Sequence, residues 1–323
     1  MKQQTLAAAA ALLIGMGTAQ AETLKMATIE PSLGQAITMA TFANLVTDAL
    51  GDVEIEVAGG GAATVHMLEV GRGNLDMSMV SPTIYRLMQN GKAMYAKDAE
   101  APELSKNVQL IMWFPYGQYH YTVRAGSDIE TLDDIEGASV FLGPAGGGAY
   151  NTAKAWIEAT TGLVAGEDYE AITANWATGY QSFQDGKIDM YVNGCIDPCQ
   201  QFIQFTETED IRFIGPEDHS GEAVTKFLGS DRTLAEVPAG MYKGQRNESP
   251  VMSHDTAVGI GVRADLDEET VYKITKAFWD NIGNITSEAP WAKALSIDYA
   301  VKPLGEMQIH PGAARYYKEV GKL

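Results

Sequence analysis

Two glycine runs stand where a chain could hold an anion. Gly59-Gly60-Gly61-Ala62 and Gly146-Gly147-Gly148-Ala149 each follow a strand-like run and open a helix-like one. Such a turn leaves backbone N–H groups unpaired at the positive end of a helix dipole, which suits a carboxylate or another anion. Either loop alone is read as a tight turn. One in each half of the chain describes a clamp, because ligands in open α/β sheets sit at the carboxyl ends of strands. Candidate ligand residues are therefore Gly61, Ala62 and Ala63 with His66 beside them, and Gly146, Gly147, Gly148 and Ala149.

Tyr116, Tyr119, Tyr121, Trp176 and Tyr180 fall near expected strand ends or helix starts. Core packing is the ordinary fate of such residues, but at a cleft mouth Tyr116 and Tyr180 would cover a ligand. Asp197 lies between Cys195 and Cys199 at an expected helix start. There it either caps the helix or accepts a ligand ammonium group. A Cys195–Cys199 disulfide would close a small loop and contribute about 2 kcal/mol, and paired and free thiols both fit an oxidising exterior.

Catalytic patterns are missing. No G-x-G-x-x-G, phosphate-binding G-x-x-x-x-G-K-[ST] or G-x-S-x-G run occurs, and the histidines, at 66, 120, 219, 254 and 310, do not form H-E-x-x-H. Zinc takes three or four protein ligands, and no Cys or His stands close enough in sequence to complete a set. No catalytic residue, metal or cofactor is expected.

The elements that must position these loops alternate in an α/β pattern. Strands are expected at 24–29, 53–57 and 75–80, with helices at 35–50, at 64–71 and from Pro82. Two further strands, 107–114 and 120–124, lead to a second unit: strands 138–142, 169–172 and 188–192, and helices 150–161, 179–184 and from about Pro198. Residues 230–247 are read as irregular, followed by a strand at 256–262 and a helix at 268–286. Gly73-Asn-Leu-Asp-Met77 echoes Gly186-Lys-Ile-Asp-Met190, a second sign of duplicated architecture. The expected division is a leader at 1–21, a first lobe at 22–124, a second at 125–229, and a return at 230–323 that completes the first.

Lys2, the apolar run Leu6 to Met16 and Ala19-Gln20-Ala21 have the three parts of a secretory signal peptide, with cleavage expected after Ala21. The apolar run is shorter than the roughly 20 residues that span a bilayer. The net charge is −19, one unit more negative once Lys2 is removed, which argues against nucleic acid and anionic lipid surfaces. A soluble monomer outside the cytoplasmic membrane is expected.

The mature chain resembles the TAXI-family solute-binding subunits of tripartite ATP-independent periplasmic (TRAP) transporters along nearly its whole length. The resemblance is carried by His120-Tyr-Thr-Val-Arg-Ala-Gly-Ser-Asp-Ile-Glu-Thr-Leu-Asp-Asp-Ile-Glu-Gly137, Leu142-Gly-Pro-Ala-Gly-Gly-Gly148, Asp185-Gly-Lys-Ile-Asp189 and His310-Pro-Gly-Ala-Ala-Arg-Tyr-Tyr317. It implies a type II periplasmic-binding-protein fold, with two α/β lobes joined by crossover strands and a ligand cleft between them. It also implies a periplasmic location and docking on a TRAP permease driven by an ion gradient. Members are associated with glutamate, 2-oxoglutarate and related carboxylates.

The chain departs from the family where a ligand is expected. Ser32 and Gln35 stand in the first loop, with Gln35 at the family's tyrosine position, and His66 replaces an asparagine. Ala63, Gly147 and Ala149 stand where the family has hydroxyl side chains. The scaffold is therefore expected to transfer, but the ligand is expected to differ while keeping an anionic group. Alternatives on the same fold are a ligand-binding subunit of a membrane sensor and an exported enzyme, the latter without a nucleophile or metal set in the sequence.

Overall fold

The computed structural model describes residues 21–323, so the expected leader, apart from Ala21, lies outside the described residues. No described helix is long and apolar enough to cross a membrane. The first half opens with β1 (Glu22–Ala27), α1 (Gly34–Leu50), β2 (Val53–Ala58), α2 (Ala63–Gly71), β3 (Met77–Val80), α3 (Pro82–Gln89) and the short α4 (Ala101–Ser105). β4 (Val108–Arg124) carries the chain out of it. The second half comprises β5 (Ser139–Phe141), α5 (Gly148–Thr161), β6 (Glu170–Ala171), α6 (Trp176–Gln184), β7 (Met190–Cys195), α7 (Gln200–Phe205), β8 (Ile211–Ile214) and α8 (Glu222–Leu228). β9 (Arg232–Val237) and β10 (Val251–Arg263) bring the chain back, and α9 (Glu268–Asn281), α10 (Ile297–Ala300) and α11 (Pro311–Glu319) follow.

The strand order is β2-β1-β3-β10-β4-β7-β5-β6, with β8 on β4 and β9 on β10. β1 pairs in parallel with β2 and β3, and β5 with β6 and β7. β4 and β10 run antiparallel to their neighbours and join the two parallel groups. Each is longer than an ordinary strand because it serves both halves: residues 108–118 of β4 pair with β10, and residues 118–124 with β7 and β8.

Local sequence explains the first helix. Ala36, Met39, Phe42, Ala43 and Val46 recur at helical spacing and are buried, and Gly51 ends α1 in the left-handed conformation. The Phe42 ring meets Phe278 of α9 at 5.1 Å. Burying each such ring stabilises the fold by about 1.5–3 kcal/mol. The second half is closed by Phe141, Phe183, Tyr191, Phe202 and Phe213, all buried in one cluster.

Three expectations need correction. Residues 107–114 and 120–124 are not separate strands, because β4 runs on through Pro115 to Gln118. Gly117 makes this possible: its φ is +98°, and a Cβ there would lie 2.0 Å from the Cys195 carbonyl carbon. The stretch 230–247 is not wholly irregular, since β9 lies within it and pairs antiparallel with residues 251–256 of β10. The helix expected to reach residue 286 ends at Asn281 and continues as a 3-10 turn, Ile282–Ile285.

Candidate ligand-binding site

Between the two halves lies a chamber of about 280 Å³. The first half contributes Gly61 to Thr64 and Ser81, Thr83 and Ile84; the second contributes Pro144, Ala145, Gly147 to Ala149, Thr152, Asn175 and Trp176. Tyr116 and Tyr119 of β4 and Thr256 and Val258 of β10 form the base. Every one of the first set follows a strand's carboxyl end, as expected for an α/β ligand site. Among the described residues, Glu30 is the only charged one in the lining.

Helix ends supply the chamber's electropositive character. Seven described helices have eight or more residues. In four, α3, α6, α9 and α11, a side chain caps the first turn: Ser81, Asn175, Asp267 and His310. The remaining three, α1, α2 and α5, have no such cap, with Leu33, Ala62 and Gly147 at their N-cap positions. The starts of α2 and α5 both line the chamber, so their free N–H groups converge on one volume. Gly61 shapes the first of these turns at φ +83°; a Cβ there would lie 2.7 Å from His66 Nε2.

The α1 start opens on a second chamber of about 170 Å³, which shares Tyr116 with the first. Tyr116 is held against the backbone of β7, where a Cβ on Gly194 would lie 2.1 Å from its ring. Its ring stacks on Tyr119 at 5.2 Å, and Tyr119 on His254 at 4.3 Å. Burial pushes both phenols well above their ordinary pKa, so they stay neutral. Gln35 is buried beside them, and its Nε2 donates to the carbonyls of Tyr116 at 2.6 Å and Gly194 at 2.9 Å. One amide thereby ties α1 to β4 and β7.

The expected site residues divide accordingly. Gly61, Ala62, Ala63, Tyr116, Gly147, Gly148 and Ala149 meet at the first chamber, and Ser32 and Gln35 line the second. Gly146, in the left-handed conformation, shapes its loop without lining either. His66 stands behind Gly61, half-buried, with its pKa lowered by burial against a weaker pull from Glu69. Tyr180 packs against Tyr191 and Phe205, donates to the Gln201 carbonyl at 3.3 Å and lines neither chamber.

Asp197 is not a helix cap. Its Oδ1 accepts from His120 Nε2 at 2.9 Å and from the Tyr242 hydroxyl at 2.7 Å, while Cys199 occupies the N-cap of α7. It lines neither chamber. Cys195 and Cys199 are joined as a disulfide. Ligand atoms of His120, Cys195 and Asp197 fall within 4.8 Å of one another, a grouping that sequence spacing did not suggest. The Cys195 sulfur is committed to Cys199, and His120 to Asp197.

Sequence reasoning missed Ser81, Thr83, Thr152, Asn175 and Thr256. Ser81-Pro82 carried a usable signal, a capping residue before a proline at a helix start directly after a strand. Thr256 carried none, because β10 reaches the cleft only through pairing with β4.

The architecture and the cleft define a two-lobe solute-binding fold, the type II periplasmic-binding-protein arrangement. A solved structure described as a periplasmic transporter has a TM-score of 0.59 at 13% identity, covering 93% of this chain and 92% of that one. The alkanesulfonate-binding protein SsuA from Xanthomonas axonopodis pv. citri, bound to MOPS, gives 0.51 at 12% identity, covering 93% and 84%. A TRAP periplasmic solute binding protein from Roseobacter denitrificans with bound L-galactonate gives 0.49 at 14% identity, covering 91% of each chain. The model of the NMT1-like family matches residues 32–321, and the chain belongs to that family.

Proposed function

We propose that this chain is a periplasmic solute-binding protein that closes on one small, monoanionic, partly apolar solute and delivers it to a TRAP-type, ion-gradient-driven permease. In this reading the leader is removed after Ala21, residues 125–229 form the second lobe, the rest forms the first, and the protein works as a monomer. The observation that carries the ligand class is the convergence of two uncapped helix starts, α2 and α5, on one chamber.

The same chamber disfavours glutamate and 2-oxoglutarate. A second carboxylate would enter a space whose only charged side chain is Glu30, with Ile29, Met79, Ile84, Trp176 and Val258 around it. An uncompensated buried charge is costly. Helix N-termini hold a carboxylate or a sulfonate by the same N–H groups, and the alkanesulfonate-binding relative makes sulfonates a necessary part of the test.

Calorimetric titration with short-chain and aromatic monocarboxylates, their methyl esters, alkanesulfonates, glutamate and 2-oxoglutarate tests the assignment. A monoanion should bind, and its ester should bind about a hundredfold more weakly through loss of charge-assisted hydrogen bonds. Equal binding of acid and ester overturns the anion assignment. Sub-micromolar binding of either dicarboxylate overturns the changed-ligand assignment.

A further inference from the structure

The second chamber has its own unmet chemistry. Among the described residues no charged side chain lines it, yet Gln35 and Asn193, each 2% exposed, both do. Gln35 Oε1 and Asn193 Oδ1 are buried without a hydrogen-bond partner. Two backbone carbonyls fix the Gln35 amide by accepting from its Nε2, and Asn193 Nδ2 donates at 2.8 Å to Gln201 Oε1, which also accepts from the Tyr191 hydroxyl. The free atoms are therefore acceptors. Gly34 also lines the chamber, at the uncapped start of α1, whose first backbone bond runs from Ile37 N to the Leu33 carbonyl. Donors are unmet there as well.

We propose that this chamber binds a primary carboxamide or ureido group, with its N–H groups on Gln35 Oε1 and Asn193 Oδ1 and its carbonyl oxygen on the α1 start. An ammonium group would meet the positive end of a helix with no carboxylate nearby, and a carboxylate would meet two acceptor oxygens. A neutral group that both donates and accepts satisfies the wall without burying charge. The group belongs either to a free amide or to the far end of a solute whose anionic end fills the first chamber past Tyr116.

The two chambers carry separate reporters, since Trp291 lines the second and Trp176 the first. Their indole N–H resonances are followed by NMR in the intact mature protein during titration with propionamide, propionate and glutaramate. Propionamide should move Trp291 saturably and leave Trp176 in place. Glutaramate, which carries both groups, should move both indoles at one midpoint if a single solute spans the chambers, and at two midpoints if they fill separately. Asn193→Leu should weaken the propionamide response about tenfold or more through loss of an acceptor. A Trp291 resonance that propionamide does not move, or that propionate moves equally, overturns the assignment; the wild-type titration decides even if Asn193→Leu does not fold. Failure of the carboxylate reading is seen at Trp176 instead.

Discussion

The Thr83 hydroxyl donates to Asp231 Oδ2 at 2.5 Å and accepts from Arg232 Nη2 at 2.9 Å, which ties α3 of the first half to the start of β9. β9 begins just after α8, and α8 packs on α5 of the second half. The Arg232 guanidinium lies over the Phe227 ring at 4.6 Å and donates to the Phe227 carbonyl at 2.7 Å. Through Arg232 and Phe227, Thr83 is therefore linked to α8 of the second half while also lining the cleft.

Thr83→Val should loosen this closure. Hydrogen bonds to charged groups contribute about 1.5–3 kcal/mol each, so the open population should rise about tenfold or more. Small-angle scattering of the ligand-free variant should give a larger radius of gyration than wild type, and a saturating ligand should compact both. An unchanged ligand-free radius would show that closure does not depend on this bridge.

Ala62→Asp should separate stability from binding. Ala62 already has extended backbone angles suited to a capping side chain. A carboxylate there would cap α2, adding about 1 kcal/mol, and would occupy the electropositive position proposed for the ligand. The melting temperature should rise while affinity for a monoanion falls more than about tenfold. A rise in melting temperature with unchanged affinity would remove α2 from the site.

Asp197→Ala should do the reverse. It leaves the His120 and Tyr242 donors buried without their acceptor, at a cost of about 2–4 kcal/mol. Affinity should be unchanged wherever the protein remains folded, since Asp197 lines neither chamber. Melting curves and calorimetry on one preparation decide this, and a selective affinity loss would return Asp197 to the ligand site.

Asp255 gives the fold a pH dependence. Burial raises its pKa from 3.8 to about 6, against the backbone N–H groups of Thr256 and Gly117 and the charge of Lys302. The folded state therefore holds a proton that the unfolded chain has released between roughly pH 4 and pH 6. Stability from this group is fully present below pH 4 and is lost as pH rises through 6, by roughly 3 kcal/mol. Asp255→Asn should be more stable than wild type at pH 8 and close to it at pH 4, as read by urea denaturation at both. Equal effects at the two pH values would exclude Asp255 as the titrating group.

The parallel units were legible because their signals are local. Gln35 to Leu50 shows its apolar stripe and its Gly51 stop within one window, and both glycine loops stand next to the helices they open. The crossovers were not legible. Gly117 looks like a strand terminator until β7 is placed against it, and β9 has meaning only once β10 lies alongside. The site was half legible for the same reason: residues 61–63 and 147–149 are found from their own loops, whereas Thr152, Thr256 and Asn193 reach the cleft through packing. Gln35 was singled out from its own loop, but its tie to two strands comes only from packing: its amide nitrogen is held by two backbone carbonyls and its oxygen is free.

The path of β4 and β10 also sets an order in time. As the chain emerges from its N-terminus, β1, β2 and β3 exist long before residues 251–263, yet β3 needs β10 as its neighbour in the sheet. The middle of the chain, from the second half of β4 to α8, is complete in one continuous stretch and can consolidate first. The opening segment must wait with an unpaired strand edge, which is the part of a nascent molecule most exposed to wrong partners. Folding helpers that act on this protein before it is finished would therefore find their work at β3.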